Sequence, residues 1–228
     1  MPYSSRIVRR NMNPAGRYRR RRYRRYRPRQ ISWAQVARKA WSGVKMLKGI
    51  VNAEKKTFDR DCSNLPDTTG SIQCLTDIAQ GDDYNGREGR SILAKSLELF
   101  GNLNVGANNT DTFCRFIVFI DTNLQDSGTL PAVTDYLTSA SQAALRNPNP
   151  NFMKRFVTLM DTTVCVDEYN PNKQWRFFKK LNHHIKFDGT AAADASQGAI
   201  LLLTISNMTG AGNTPTSALR SRMRYYDN

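Results

Sequence analysis

WRFFKKLNHHIKF, residues 175–187, decides the fold. Positions 176, 180, 182, 184 and 186 hold Arg, Lys, Asn, His and Lys, whereas 175, 177, 181, 185 and 187 hold Trp, Phe, Leu, Ile and Phe. A period of two is the repeat of a β-strand, whose successive side chains point to opposite faces. One face of this strand is therefore basic and the other enters a core. The same texture runs outward in both directions, as short segments rich in Val, Ile, Phe, Thr and Tyr broken by Gly, Asn, Asp and Pro clusters. It predicts strands at approximately 57–64, 71–79, 90–100, 112–121, 152–166, 175–187, 198–206 and 219–226. FCRFIVFID (113–121) and GAILLLTIS (198–206) are apolar at both parities and belong in the middle of packed sheets. Eight strands without helical crossovers between them predict an all-β fold over 57–228, an eight-stranded antiparallel jelly-roll sandwich. The long connection from Asn123 to Asn151 carries one short helix candidate, VTDYLTSASQAAL (133–145).

Upstream the texture changes twice. Across residues 31–56 the run ISWAQVARKAWSGVKMLKGIVN places Trp33, Ala37, Ala40, Trp41, Val44, Leu47 and Val51 at spacings of three and four, which predicts an amphipathic helix. Ser32 and Gln35 have capping-box spacing at its start, and Arg38, Lys39, Lys45 and Lys48 decorate it. Residues 1–30 offer no hydrophobic period. Within them RYRRRRYRRYRPRQ (17–30) sets nine arginines among fourteen residues, and like charges at that density predict a disordered arm until phosphates neutralise it.

The charge is divided in the same way. Residues 1–56 hold 18 Lys plus Arg against one Glu, net +17, and the rest holds 16 bases against 18 acids, net −2. A nearly neutral body with a strongly basic arm points to a polyanion bound by the arm. Guanidinium forks match phosphate oxygens, and aromatic rings stack on unpaired bases. Arg17, Arg19, Arg20, Arg21, Arg22, Arg24, Arg25, Arg27 and Arg29, with Tyr18, Tyr23 and Tyr26 between them, are thus candidate nucleic-acid contacts. Arg38, Lys39, Lys45 and Lys48 of the helix, and Arg176, Lys180 and Lys186 of the basic strand face, extend the set. Arg176, Lys180, His184 and Lys186 are expected on one sheet surface, which would turn inward if such sandwiches closed around a nucleic acid. A tract this basic also suffices as a nuclear localisation signal read by import receptors. The basic helix of residues 31–53 could lie on an anionic membrane surface, a reading that ranks below packing beneath a protein shell.

Catalytic and cofactor constellations are nearly absent. His183 and His184 are adjacent, so a strand points them to opposite faces. No G-x-x-x-x-G-K-[ST] or G-x-G-x-x-G motif occurs, and no Cys/His set has metal spacing. Asp82-Asp83 and Asp167-Glu168 read as solvated loop charges before they read as a cation site at a subunit contact. Cys62, Cys74, Cys114 and Cys165 form no C-x-x-C pair and are expected to be buried, reduced thiols. Arginines stand where a secretory peptide would carry its apolar core, and the longest apolar run, Ala199–Leu203, is strand-sized. These features predict neither an enzyme, a cofactor nor a bound metal. A cellular nucleic-acid-binding protein remains the competing class, and would carry basic and aromatic residues on the sandwich itself.

Three segments carry a family resemblance. IAQGDDYNGREGRSILAKSLELFG (78–101) resembles a Q-G-D-D loop leading through an R-x-G turn into a strand; TFCRFIVFIDTNLQDSGTLPAVTDYL (112–137) resembles an F-R-F-I-x-F strand followed by a T-x-P loop; and NPNFMKRFVTLMD (149–161) is similar to the N-P…K-R-F strand that follows. These belong to coat proteins of the satellite tobacco necrosis virus type, shared by small satellite RNA viruses and by circular, Rep-encoding single-stranded DNA viruses. The arginine-tyrosine start and LKGIVNAEKKTFD (47–59) look like the circular DNA virus coats, including circoviruses. The resemblance implies a capsid protein whose jelly-roll bodies self-assemble into an icosahedral shell while the arms package the genome. It favours single-stranded DNA over RNA, with passage through the host nucleus. Sixty copies would bring roughly 1,000 positive charges to the packaged strand.

Overall fold

The computed structural model describes residues 55–108, 111–123, 129–193, 195–210 and 212–227. The expected arm, the expected amphipathic helix and every candidate contact from Arg17 to Lys48 lie outside the described residues. All eight expected strands form, with one short addition. They are β1 (Lys55–Asp61), β2 (Ser71–Cys74), β3 (Ser91–Asn104), β4 (Thr112–Asp121), β5 (Phe156–Val166), β6 (Asn172–Phe187), the added β7 (Ala195–Gln197), β8 (Ala199–Ser206) and β9 (Thr216–Asp227). They pair antiparallel in two sheets, ordered β1-β9-β3-β6-β7 and β2-β8-β4-β5. Each sheet interleaves early and late strands, which is the jelly-roll connectivity expected from the sequence.

Burial follows the sequence pattern. All eight residues of β8 are buried, as are Phe116 to Asp121 of β4, and these strands occupy the middle of the four-stranded sheet. On one parity of β4, Phe116 meets Trp175 of β6 across the sandwich at 4.9 Å between ring centroids. Gly101 of β3 makes room for that indole, since a Cβ there would stand 2.4 Å from Trp175 Cε2. On the other parity, Phe119 packs against Tyr136 at 4.4 Å and edge-on against Phe156 at 5.3 Å. The segment carrying Tyr136 covers this outer face. Arg115 fastens it, donating to the carbonyls of Gln142 (3.1 Å) and Ala144 (2.6 Å) while both oxygens of Asp161 accept from the same guanidinium.

Several boundaries differ from expectation for local reasons. The 133–145 helix is only α1 (Val133–Tyr136), because Leu137 bridges Arg146 and Thr138 N donates to Leu145 O, closing a small loop instead. The strand expected from 152 begins at Phe156. Asn149 caps a short helix α2 (Pro150–Arg155), its side chain accepting from Asn151 N at 3.0 Å, with proline in the first turn. At its end Arg155 grips the fully buried Asp121 with two bonds of 2.8 and 2.7 Å. β2 stops at Cys74 because the chain turns, with Ile78 N donating to Thr76 O.

Cys62, Cys74 and Cys114 are buried free thiols, but Cys165 is exposed, contrary to expectation. Period two explains it: Val164 and Val166 enter the core, so Cys165 faces out opposite the half-exposed Phe113. Burial pushes the Cys74 and Cys114 thiols up to about 12. Iodoacetamide should therefore alkylate Cys165 of native, dissociated subunits well before the other three. The mass-spectrometric order of labelling checks this, and early modification of Cys74 would contradict its placement.

Candidate nucleic-acid interface

The outer face of the five-stranded sheet gathers the basic residues of the body. The sequence TSALRSRMRYYD of β9 alternates Leu219, Ser221, Met223 and Tyr225 inward with Arg220, Arg222, Arg224 and Tyr226 outward. β6 alternates likewise, and brings Arg176, Lys180, His184 and Lys186 to the same solvent face, as its sequence predicts. On β3 the register shifts between Ala94 and Ser96, a bulge that re-aims Lys95: its Nζ donates to Asn182 Oδ1 at 2.8 Å and lies 5.7 Å from the Tyr226 ring centroid. Glu98, Phe100 and Asn102 follow on the same face. β1 adds Lys55, Asp59 and Asp61.

On this face eight bases, Lys55, Lys95, Arg176, Lys180, Lys186, Arg220, Arg222 and Arg224, stand against three carboxylates, Asp59, Asp61 and Glu98. Asp59 takes two bonds from Arg222, of 2.7 and 2.6 Å, and these hold its carboxyl below the usual carboxylate range. Glu98 is shared by Arg176 and, at 3.7 Å, Arg224. Exposed pairs of this kind are individually weak and readily exchange partners. Among the described residues Lys180, Lys186 and Arg220 hold no ion pair. The net surplus is therefore available to an extended polyanion, which guanidinium forks and ammonium groups can track without reading sequence.

Phe100 and Phe178 lie within this basic field, 51% and 49% exposed. Phe100 also lines a shallow cleft of about 410 Å³ with Arg220, Arg222 and Glu98. The sequence reading missed Arg220, Arg222 and Arg224, although their alternation with Leu, Ser, Met and Tyr is the signal by which β6 was found. It also missed Lys95, Phe100 and Phe178, whose position on this face depends on a bulge and a register that one strand does not reveal.

The adjacent histidines are separated as a strand requires. His183 is half-buried, its Nε2 3.0 Å from Gly198 O, while His184 is exposed on the opposite side of the strand. Among the described residues no group of three His, Cys, Asp or Glu is arranged to hold a metal. Asp82 and Asp83 are exposed, and Asp167 closes the β5–β6 turn by accepting from Asn170 N at 2.6 Å. The R-x-G turn holds an arginine that the sequence reading left in a loop. Arg87 is fully buried, 4.0 Å over the Phe187 ring centroid, and donates to the carbonyls of Ile78 (2.9 Å), Gly89 (2.9 Å), Gly189 (2.6 Å) and Ala191 (3.4 Å).

Basic and aromatic residues on the sandwich itself are also what a cellular nucleic-acid-binding protein would carry, so it is comparison with known proteins that separates the two classes. The family described as satellite tobacco necrosis virus coat protein matches residues 29–227. The coat protein of Maize white line mosaic satellite virus is 31% identical over 169 residues, covering 70% of this chain and 74% of that one. The capsid protein of Satellite tobacco necrosis virus 1 is 30% identical over 179 residues, covering 76% and 89%. The coat protein of Satellite tobacco necrosis virus 2 is 37% identical over 179 residues, covering 74% and 87%.

Proposed function

Because the chain belongs to the satellite tobacco necrosis virus coat protein family, and is thus a structural coat protein, we propose that its bodies close into an icosahedral shell of sixty copies around a single-stranded RNA. The arm and the basic sheet face both point inward in this reading. One observation carries it: the body is near neutral overall, yet one sheet face concentrates eight bases against three acids. A surface bearing such a surplus suits a shell lining better than a contact between like copies, where the same charges would face one another. The three-part division into arm (1–30), helical linker (31–56) and shell domain (57–228) follows the same separation of roles, with β1 entering the sheet at Lys55.

RNA replaces the DNA expected from the arginine-tyrosine start and the 47–59 junction. The relatives above are coats of satellite viruses, which supports the RNA side of the original resemblance and gives the circovirus-like side none. The nuclear step and the import receptors had their reason in DNA replication and lose it with the DNA.

Nucleic acid inside authentic particles should be degraded by RNase after disruption and resist DNase. The reverse sensitivity would overturn the RNA assignment and leave the coat role standing. Orientation is tested separately with a shell-impermeant acylating reagent. Lys180 and Lys186 should be protected in intact particles and reactive in dissociated subunits; labelling of both in intact particles would put the face outside.

A further inference from the structure

We infer that Phe100 and Phe178 form a stacking platform for unpaired bases, so that the sheet face takes single-stranded stretches of the packaged nucleic acid in preference to duplex. The inference rests on the nucleic-acid reading above and deepens it. Phe100 pairs with Arg176 and Phe178 with Glu98, so the two rings are diagonal neighbours on adjacent antiparallel strands. Diagonal neighbours in a sheet stand about 7–8 Å apart, within reach of one another's ring surfaces. Each residue is about half exposed; single exposed apolar residues are ordinary, but two adjacent ones at the centre of a charged face are not.

Charge complementarity selects the occupant. Arg220 and Arg222 pair with Phe100 and Glu98 from the β9 side, and Lys180 follows Phe178 by two positions on β6. A partner protein segment would have to be apolar and acidic together. An unpaired nucleotide is aromatic and anionic in one unit, and aromatic side chains on a sheet surface are a recurrent seat for splayed bases. Orientation follows from the bases without ion pairs. Among the described residues Arg220, beside Phe100, and Lys180, two positions from Phe178, hold no ion pair, so the phosphates run over them while the bases lie on the rings. A duplex keeps its bases stacked inside and presents only phosphates, which the rings cannot use.

The test compares labelled oligouridylate with an RNA hairpin duplex of equal phosphate number, bound at fixed salt to dissociated full-length subunits. Phe100→Leu with Phe178→Leu should weaken oligouridylate binding about tenfold or more, leave hairpin binding and both salt slopes unchanged, and be rescued by Trp at both positions. Equal loss for both ligands, or no loss for either, would overturn the platform. If wild-type subunits bind neither ligand, the nucleic-acid reading itself fails, which is a distinct result. A change in particle yield with unaltered oligouridylate affinity would mean that a second copy of the chain covers the rings, and would also overturn it. Photocrosslinking of 4-thiouridine-substituted RNA to wild-type particles, mapped to the peptides holding Phe100 and Phe178, should succeed without any variant.

Discussion

Particles assembled from chains lacking residues 1–30 should contain almost no nucleic acid, while the body keeps its fold. Twelve arginines and no acid lie in that segment, so its removal takes the formal charge from +15 to +3. Among the described residues every buried core side chain follows residue 55, so none of these is removed. Each phosphate neutralised on a single strand contributes about 0.7 to the slope of log affinity against log salt, so full engagement of the twelve arginines corresponds to a slope change of roughly 8. The sheet face, with its eight bases, retains a weaker and less salt-sensitive affinity. Absorbance ratios of purified particles and salt titrations of dissociated subunits measure both effects. Wild-type nucleic acid content in the deleted protein would show that the arm is not the packaging element.

Arg87→Ala should destabilise the body by about 4 kcal/mol, read as a drop in urea midpoint at unchanged slope. The side chain is fully buried and serves four carbonyl oxygens from two separate segments, Ile78 and Gly89 on one side and Gly189 and Ala191 on the other. Alanine leaves those acceptors without their donors inside a cavity lined by Phe187, and each unsatisfied acceptor costs about 1–3 kcal/mol where water cannot enter. Arg87→Lys should recover only a fraction, since an ammonium on a single stem cannot span acceptors placed for a planar fork. By contrast Arg222→Ala, which removes an exposed pair with Asp59, should shift the midpoint little. A loss under about 1 kcal/mol for Arg87→Ala would mean that water replaces the guanidinium.

The architecture was legible wherever period-two patterning decided the answer. β4 and β8 read as doubly buried strands and β6 as half-buried, and all three hold those places. Boundaries failed where a side chain, not hydrophobicity, ends an element: Asn149 starts a helix inside an expected strand, and the Leu137–Arg146 bridge stops a helix that composition favoured. Arg87 escaped notice because charge in a glycine-rich turn normally signals solvent, and only the converging carbonyls show otherwise. The sheet face was half legible. Its β6 row was read directly; the β9 row alternates just as plainly, but that it joins the same face needs the knowledge that β9 lies beside β1 and β3, which is long-range information absent from any window.

That placement of β9 also sets an order of events. β9 is the last strand in the sequence, yet it lies between β1 and β3, and Lys55 pairs with Tyr226 across more than 160 intervening residues. Such pairing makes for slow folding, because long loops must close before their contacts are rewarded. During synthesis at about 5–20 residues per second, the arginine-rich segment leaves the ribosome before any of the strands, and many seconds pass before β9 exists to join the strands on either side of it. Throughout that interval the basic segment is present but the five-stranded sheet is not, so the chain has no finished surface with which to meet another copy. On the packaging role proposed above, capture of the nucleic acid would precede competence for assembly within each molecule, a clock written into strand order.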